Sequence, residues 1–176
     1  GIVRFASEFG AAVNISRVRG NKAPDVEEAQ AYKWLDEAMH ALADYAKPRG
    51  VTLVLEQMNM FETNMLNSAA EVGEYIRRLG KDNVKIHADT FHMNIHDVDI
   101  CGVFEQYSDL LGYVHLADSN RLSPGRGHVD FAAILETLSR TGYDGWLGVE
   151  VLTKPDGETA AHMAIDHIRE LLRTIQ

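Results

Sequence analysis

Four residues able to hold a cation or move a proton occupy equivalent places along this chain. Glu56, Asp89, His115 and Glu150 stand at or just past the ends of the short apolar runs TLVLE, VKIHAD, GYVH and WLGVE. Such runs form buried strands, whose side chains are ordinarily apolar, so an acid or an imidazole at the same end of four successive runs needs a reason. In a parallel sheet those ends lie side by side. Three carboxylates and one imidazole then converge on one point, the donor set of a divalent-cation site. Rich in oxygen and with one imidazole, the set suits Mn²⁺, Mg²⁺ or Co²⁺, and Zn²⁺ less well. A divalent ion among three carboxylates leaves a local charge of about −1, which suits neutral polyols and carbonyl sugars that chelate through oxygen. The ion would act as a Lewis acid on a carbonyl and lower the cost of removing the proton on the adjacent carbon. Two carboxylates on opposite sides of that carbon can serve as base and acid. His92 and Arg121 can hold hydroxyls or steady an enediolate oxygen.

Each residue also has a bland reading. A single strand-end glutamate is ordinarily a solvated or helix-capping acid, and it is the coincidence of four placements that points to a site. His92 reads equally as a loop histidine, and Glu62 and Arg121 as a surface ion pair. His87 falls on the same strand face as Asp89, where it either backs the site or packs in the core. Asp118 reads as a turn former. His40, His96, His128, His162 and His167 read as solvated. Ser123-Pro124-Gly125-Arg126-Gly127 reads as a tight turn, with a phosphate cradle as the weaker alternative.

The elements that must position these residues alternate. Residues 1–9 read as the tail of a helix ending at Gly10, and AAVNISR as a strand. Pro24 and Asp25 open a long amphipathic helix carrying Ala31, Leu35, Ala38, Met39, Leu42 and Tyr45, closed before Pro48 and Gly50. Strand VTLVLE follows. Asn67 and Ser68 cap a helix through Leu79, ended by Gly80. Then come strand VKIHA, a helix near residues 100–110 ending at Gly112, and strand YVHLA. Asp130 caps FAAILETLSR, which ends at Gly142 and leads into WLGVE. The last helix runs from about Glu158. Strands alternating with helices mean right-handed βαβ units and a parallel sheet, with the active site at the C-terminal strand ends.

Composition narrows the function. The net charge of −9 argues against a nucleic-acid footprint. No apolar run is long enough to span a bilayer, and the first residues lack a signal-peptide pattern; it is the single cysteine that fits a reducing cytoplasm, the expected location. One cysteine, Cys101, excludes an internal disulfide and reads as a small buried hydrophobe. No stretch reads as a linker, so residues 1–176 are expected to form a single domain. Five βα units are legible, whereas a closed barrel of this type needs eight and roughly 250 residues. The chain is therefore either an open five-stranded sheet or the C-terminal part of a barrel.

At these residues the chain resembles the xylose-isomerase-like TIM-barrel superfamily of sugar isomerases and epimerases. It is most similar to the ketose 3-epimerases of the D-tagatose and D-psicose type. The resemblance rests on Glu56 with Asn59-Met60-Phe61-Glu62, on Asp89-Thr90-Phe91-His92-Met93-Asn94-Ile95, on His115-Leu116 with Asn120-Arg121 and Pro124-Gly125-Arg126-Gly127, and on Glu150. It covers about residues 50–150. It implies a (β/α)8 barrel of which this chain holds the C-terminal five βα units, the first three being absent. It implies one divalent metal, Mn²⁺ foremost, on Glu56, Asp89, His115 and Glu150. Glu56 and Glu150 double as the proton-transferring pair of an epimerase that works through an enediolate. Glu62, His92 and Arg121 contact a small-molecule sugar, and the protein is expected to be a homo-oligomer. Met60 stands where the epimerases usually carry arginine, and His128-Val129-Asp130-Phe131 looks more like the broader sugar-isomerase family. Hydroxypyruvate isomerases and keto-sugar dehydratases share the barrel and are the alternative. Abasic-site endonucleases also share it but need further histidine ligands and a basic groove. A final alternative is a barrel fragment without activity that keeps metal or sugar binding.

Overall fold

The apolar runs pair as five short parallel strands in the order of the sequence, β1 to β5. The computed structural model describes residues 1–175. Helix α1 (Ile2–Phe9) leads into β1 (Val13–Ile15), α2 (Glu28–Ala46) into β2 (Leu53–Glu56), and α3 (Ala69–Leu79) into β3 (Val84–Asp89). Two short helices, α4 (Thr90–His96) and α5 (Ile100–Gln106), precede β4 (Leu111–His115); α6 (Phe131–Arg140) precedes β5 (Leu147–Gly148), and α7 (Gly157–Thr174) follows. Among the described residues, no helix is long and apolar enough to cross a membrane.

Alternation along the strands separates the two faces of the sheet. Leu53, Leu55, Ile86, Ala88 and Val114 share one buried cluster with Met39, Val72, Ile76, Leu135 and Leu138 of the helices. Each fully buried aliphatic side chain there contributes roughly 1.5–3 kcal/mol relative to exposure. The opposite face carries Asn14, Val54, His87, Tyr113 and His115, which line a groove of about 690 Å³ with Trp146. The helices therefore cover one face, and the polar residues share the other.

The caps predicted at Ser68 and Asp130 form. Ser68 and Glu71 form a reciprocal capping box on α3, and Gly80 closes that helix in the left-handed conformation. Asp130 caps α6 through Ala133 N–H, and Asp156 caps α7 through Thr159 N–H. Asn67 does not share in capping α3; its side chain instead donates to the carbonyls of Met58 and Thr63.

Three boundaries differ from expectation. Helix α2 begins at Glu28 and not beside Pro24, because Val26 N–H bonds Ala23 C=O and seats Pro24 inside a turn. Gly112 does not end a helix. It lies within β4, where Ile86 pairs Leu111 and His87 pairs Tyr113, so Gly112 has no partner in β3. A Cβ at Gly112 would stand 2.5 Å from Lys85 Cβ, which explains the glycine. Finally, β5 is only two residues long and pairs with β4 alone, so Glu150 stands two residues past its end.

Candidate metal centre

The sheet register sets the depth of each candidate. Glu56 is level with His87 across β2 and β3, while Asp89 is level with His115 across β3 and β4. His115 is in turn level with Gly148 of β5. The unpaired Gly112 turns Tyr113 and His115 onto the same face as His87 and Asp89; one residue more or less would have sent His115 into the helix side. Gly148 leaves room beside it, since a Cβ there would lie 3.0 Å from His115 Cδ2.

One donor atom from each of Glu56, Asp89, His115 and Glu150 lies within 4.8 Å of the others. Asp89 is fully buried, Glu56 nearly so, and Glu150 exposed. Asp89 divides its two oxygens. Oδ1 accepts from Phe91 N–H at 2.8 Å and so caps α4, a helix where the sequence pattern predicts a loop. Oδ2 has no hydrogen-bond partner, and neither has His115 Nδ1. The two atoms face each other at 3.7 Å, and Glu150 Oε2 is 3.5 Å from the same nitrogen. Buried polar atoms are ordinarily satisfied, so an orphaned carboxylate oxygen and an orphaned imidazole nitrogen aimed at one point fit a cation between them.

The electrostatics agree with that arrangement. Burial, together with the nearby charges of Asp89 and Glu150, pushes the Glu56 carboxyl above the usual range despite a hydrogen bond from Asn14 at 2.8 Å. Burial works against ionised Asp89, but His115, His92 and Arg121 together hold its carboxyl below the ordinary value. Burial likewise opposes charge on His115, yet Asp89, Glu150 and Glu56 leave it above the ordinary imidazole value. His87, beneath them, is pushed down to about 3 by burial, with His115 adding to the effect.

The three expected substrate contacts form a chain around the cluster. Arg121 Nη2 donates to Glu150 Oε2 at 2.8 Å, and its Nη1 lies 3.3 Å from His92 Nε2. Asn59 N–H reaches His92 Nδ1 at 3.3 Å, so the ring is held between Asn59 on Nδ1 and the Arg121 guanidinium, which can only donate, on Nε2. The Asn59 amide also donates to Glu62 Oε1 at 3.3 Å, and Arg17 lies 3.8 Å from Oε2. Arg121 therefore pairs with Glu150 and not with Glu62. Arg121 sits at φ 58°, a left-handed conformation that costs a non-glycine residue about 1–3 kcal/mol. Asp118 holds this loop by accepting from the N–H groups of Ser119, Arg126, Gly127 and Val129. The glycine-containing stretch it gathers is thus a turn tied to its own chain.

Two supporting residues escaped the sequence pattern. Asn14 holds the Glu56 carboxylate. Arg19 reaches the Glu56 carbonyl at 2.6 Å and the Met65 carbonyl at 3.0 Å, fixing the loop after β2. Neither carries a local signal, although Asn14 is a polar residue in the middle of an apolar strand. Among the other histidines, His128 contacts Ser119 Oγ at 2.9 Å and His96 receives Met60 N–H at 3.0 Å, both away from the cluster.

Known proteins share this architecture. The L-ribulose 3-epimerase of Mesorhizobium japonicum is 43% identical over 113 residues, covering 64% of this chain and 38% of that enzyme. The D-psicose 3-epimerase of Agrobacterium fabrum is 34% identical over 140 residues, covering 80% of this chain and 48% of the enzyme. A solved structure of an L-ribulose 3-epimerase superposes with a TM-score of 0.87 at 30% identity, over 98% of this chain and 65% of that one. The chain thus spans less than half the length of these two curated relatives and about two thirds of the solved chain. The family model described as the xylose isomerase-like TIM barrel matches residues 2–171, and the chain belongs to that family.

Proposed function

We propose that this protein is a metal-dependent sugar epimerase acting at carbon 3 of a ketose, with Mn²⁺ as its resident ion. The single observation that carries the reading is the convergence of Glu56, Asp89, His115 and Glu150, with the Asp89 and His115 donor atoms left without hydrogen-bond partners. The curated relatives named above act on ketoses, and similarity to them supports the substrate class. Glu56, Asp89, His115 and Glu150 would hold the ion, which when bound polarises the ketose carbonyl and acidifies the adjacent carbon.

The chain's own residues then divide the work. Glu56 and Glu150 flank the reacting carbon, one removing its proton and the other returning a proton to the opposite face of the enediolate. The Arg121 guanidinium donates to sugar oxygens, His92 contacts a sugar hydroxyl through Nε2, and Glu62 accepts from a hydroxyl at the rim. Catalysis requires Arg121 to share or release Glu150, with which it pairs here. A homo-oligomer is part of the same reading.

Incubation with Mn²⁺ and a panel of ketoses in deuterated water tests the proposal. The expected product is the 3-epimer carrying deuterium at carbon 3. An aldose product would replace the reading with aldose–ketose isomerisation, and loss of water with a dehydratase. No exchange with any ketose, in protein shown to hold the metal, overturns all three.

A further inference from the structure

Beneath the four-residue cluster lies an imidazole that the proposed reaction does not use. His87 is 2% exposed, and neither of its ring nitrogens has a hydrogen-bond partner. Leaving a buried polar group unpaired costs about 1–3 kcal/mol, and an apolar side chain would fill the place without that cost. The unpaired imidazole keeps one lone pair available inside the protein. Its Nδ1 is 3.6 Å from Glu56 Oε2. Its ring meets His115 edge-on, with centroids 4.2 Å apart. One donor atom each from Glu56, His87 and His115 lies within 4.8 Å of the others.

We infer that the protein has a second cation position, overlapping the first, held by Glu56, His87 and His115 and selective for nitrogen-preferring ions such as Zn²⁺ or Cu²⁺. The inference rests on the metal-binding part of the function proposed above, because Glu56 and His115 belong to both donor sets. Sharing makes the two positions alternatives for one ion. An oxygen-preferring ion gains from Asp89 and Glu150, whereas a nitrogen-preferring ion gains from a second imidazole. An ion in the lower position ties Glu56 to His87 and withdraws it from proton transfer. Zn²⁺ then occupies the protein without supporting turnover.

Calorimetric titration of the wild-type protein and His87→Phe, with Zn²⁺ and Mn²⁺ in turn, tests this. The expected result is a loss of Zn²⁺ affinity of about 10-fold or more with Mn²⁺ affinity retained. Retained Mn²⁺ binding also shows that the variant folds. An unchanged Zn²⁺ affinity overturns the inference, as does an equal loss for both ions, which would make His87 a support for Glu56. Electron paramagnetic resonance of Cu²⁺ in the unsubstituted protein gives a second reading that needs no variant. Two imidazole nitrogens are expected, and one overturns the inference. Zn²⁺ binding through His87 without any Mn²⁺ binding would sink the four-residue Mn²⁺ site and leave the second position standing. Binding of neither ion overturns both.

Discussion

Arg121 donates a 2.8 Å hydrogen bond to Glu150, so the guanidinium occupies one of the oxygens offered to the cation. The same guanidinium stacks 4.7 Å from the Phe91 ring centroid, which fixes where it can go. In the proposed reaction Arg121 competes with the metal for Glu150 and serves the substrate. Arg121→Ala should therefore leave Mn²⁺ affinity unchanged or tighter in calorimetry. Initial rates should show kcat/KM for the ketose lower by about 100-fold or more. Weaker Mn²⁺ binding would mean that Arg121 supports Glu150 instead of competing for it.

Removal of one donor from the cluster should act on metal binding first. Asp89→Asn and His115→Ala should each weaken Mn²⁺ by at least about 100-fold, the upper range seen when only a ligand's supporting partner is lost. His128→Ala and His162→Ala should not change it, since neither side chain belongs to the cluster. Equal affinity in wild type and Asp89→Asn, by calorimetric titration, would show that the four residues do not form the site.

The unpaired Gly112 should be intolerant of a side chain. In Gly112→Ala the new Cβ falls on Lys85 Cβ and near Val54 Cγ1, so β4 must move relative to β3. A cost of about 1–3 kcal/mol is expected in urea denaturation with chelator present. Mn²⁺ affinity should fall as well, because the displaced strand carries His115. A stable variant with full affinity would show that the strand absorbs the extra residue elsewhere.

Asp118 offers a pH test remote from the cluster. Burial opposes its charge, but the four backbone N–H groups it accepts hold its carboxyl below the usual range. A depressed folded value contributes stability above the unfolded value, near 3.9, that is lost as pH falls through the folded value. Asp118→Asn should thus cost about 1.5–3 kcal/mol at neutral pH, the range for a hydrogen bond to a charged group. The gap to wild type should narrow below about pH 4. Chelator-treated urea curves at neutral and acid pH measure it, and a gap that widens on acidification would contradict the assignment.

The alternation of strands and helices, the parallel sheet, the caps at Ser68 and Asp130, and the acids and histidine at strand ends are all legible in the residues alone. These are local matters: periodicity, capping chemistry and strand length are written within a few residues of where they act. Register and burial are not local, and they decided the rest. Helix α4 was hidden because its N-cap, Asp89, also serves the cluster. Gly112 has the appearance of a helix stop, yet its role is to turn Tyr113 and His115 toward the groove, which depends on a partner strand more than twenty residues earlier. The partner of Arg121 proved to be Glu150 and not Glu62, because the backbone at Arg121 turns left-handed and points the guanidinium inward. His87 could be placed on the correct face from alternation alone. Only the tertiary packing shows that both its nitrogens are buried without a partner, since a hydrogen bond left unmade is a property of everything that surrounds a residue.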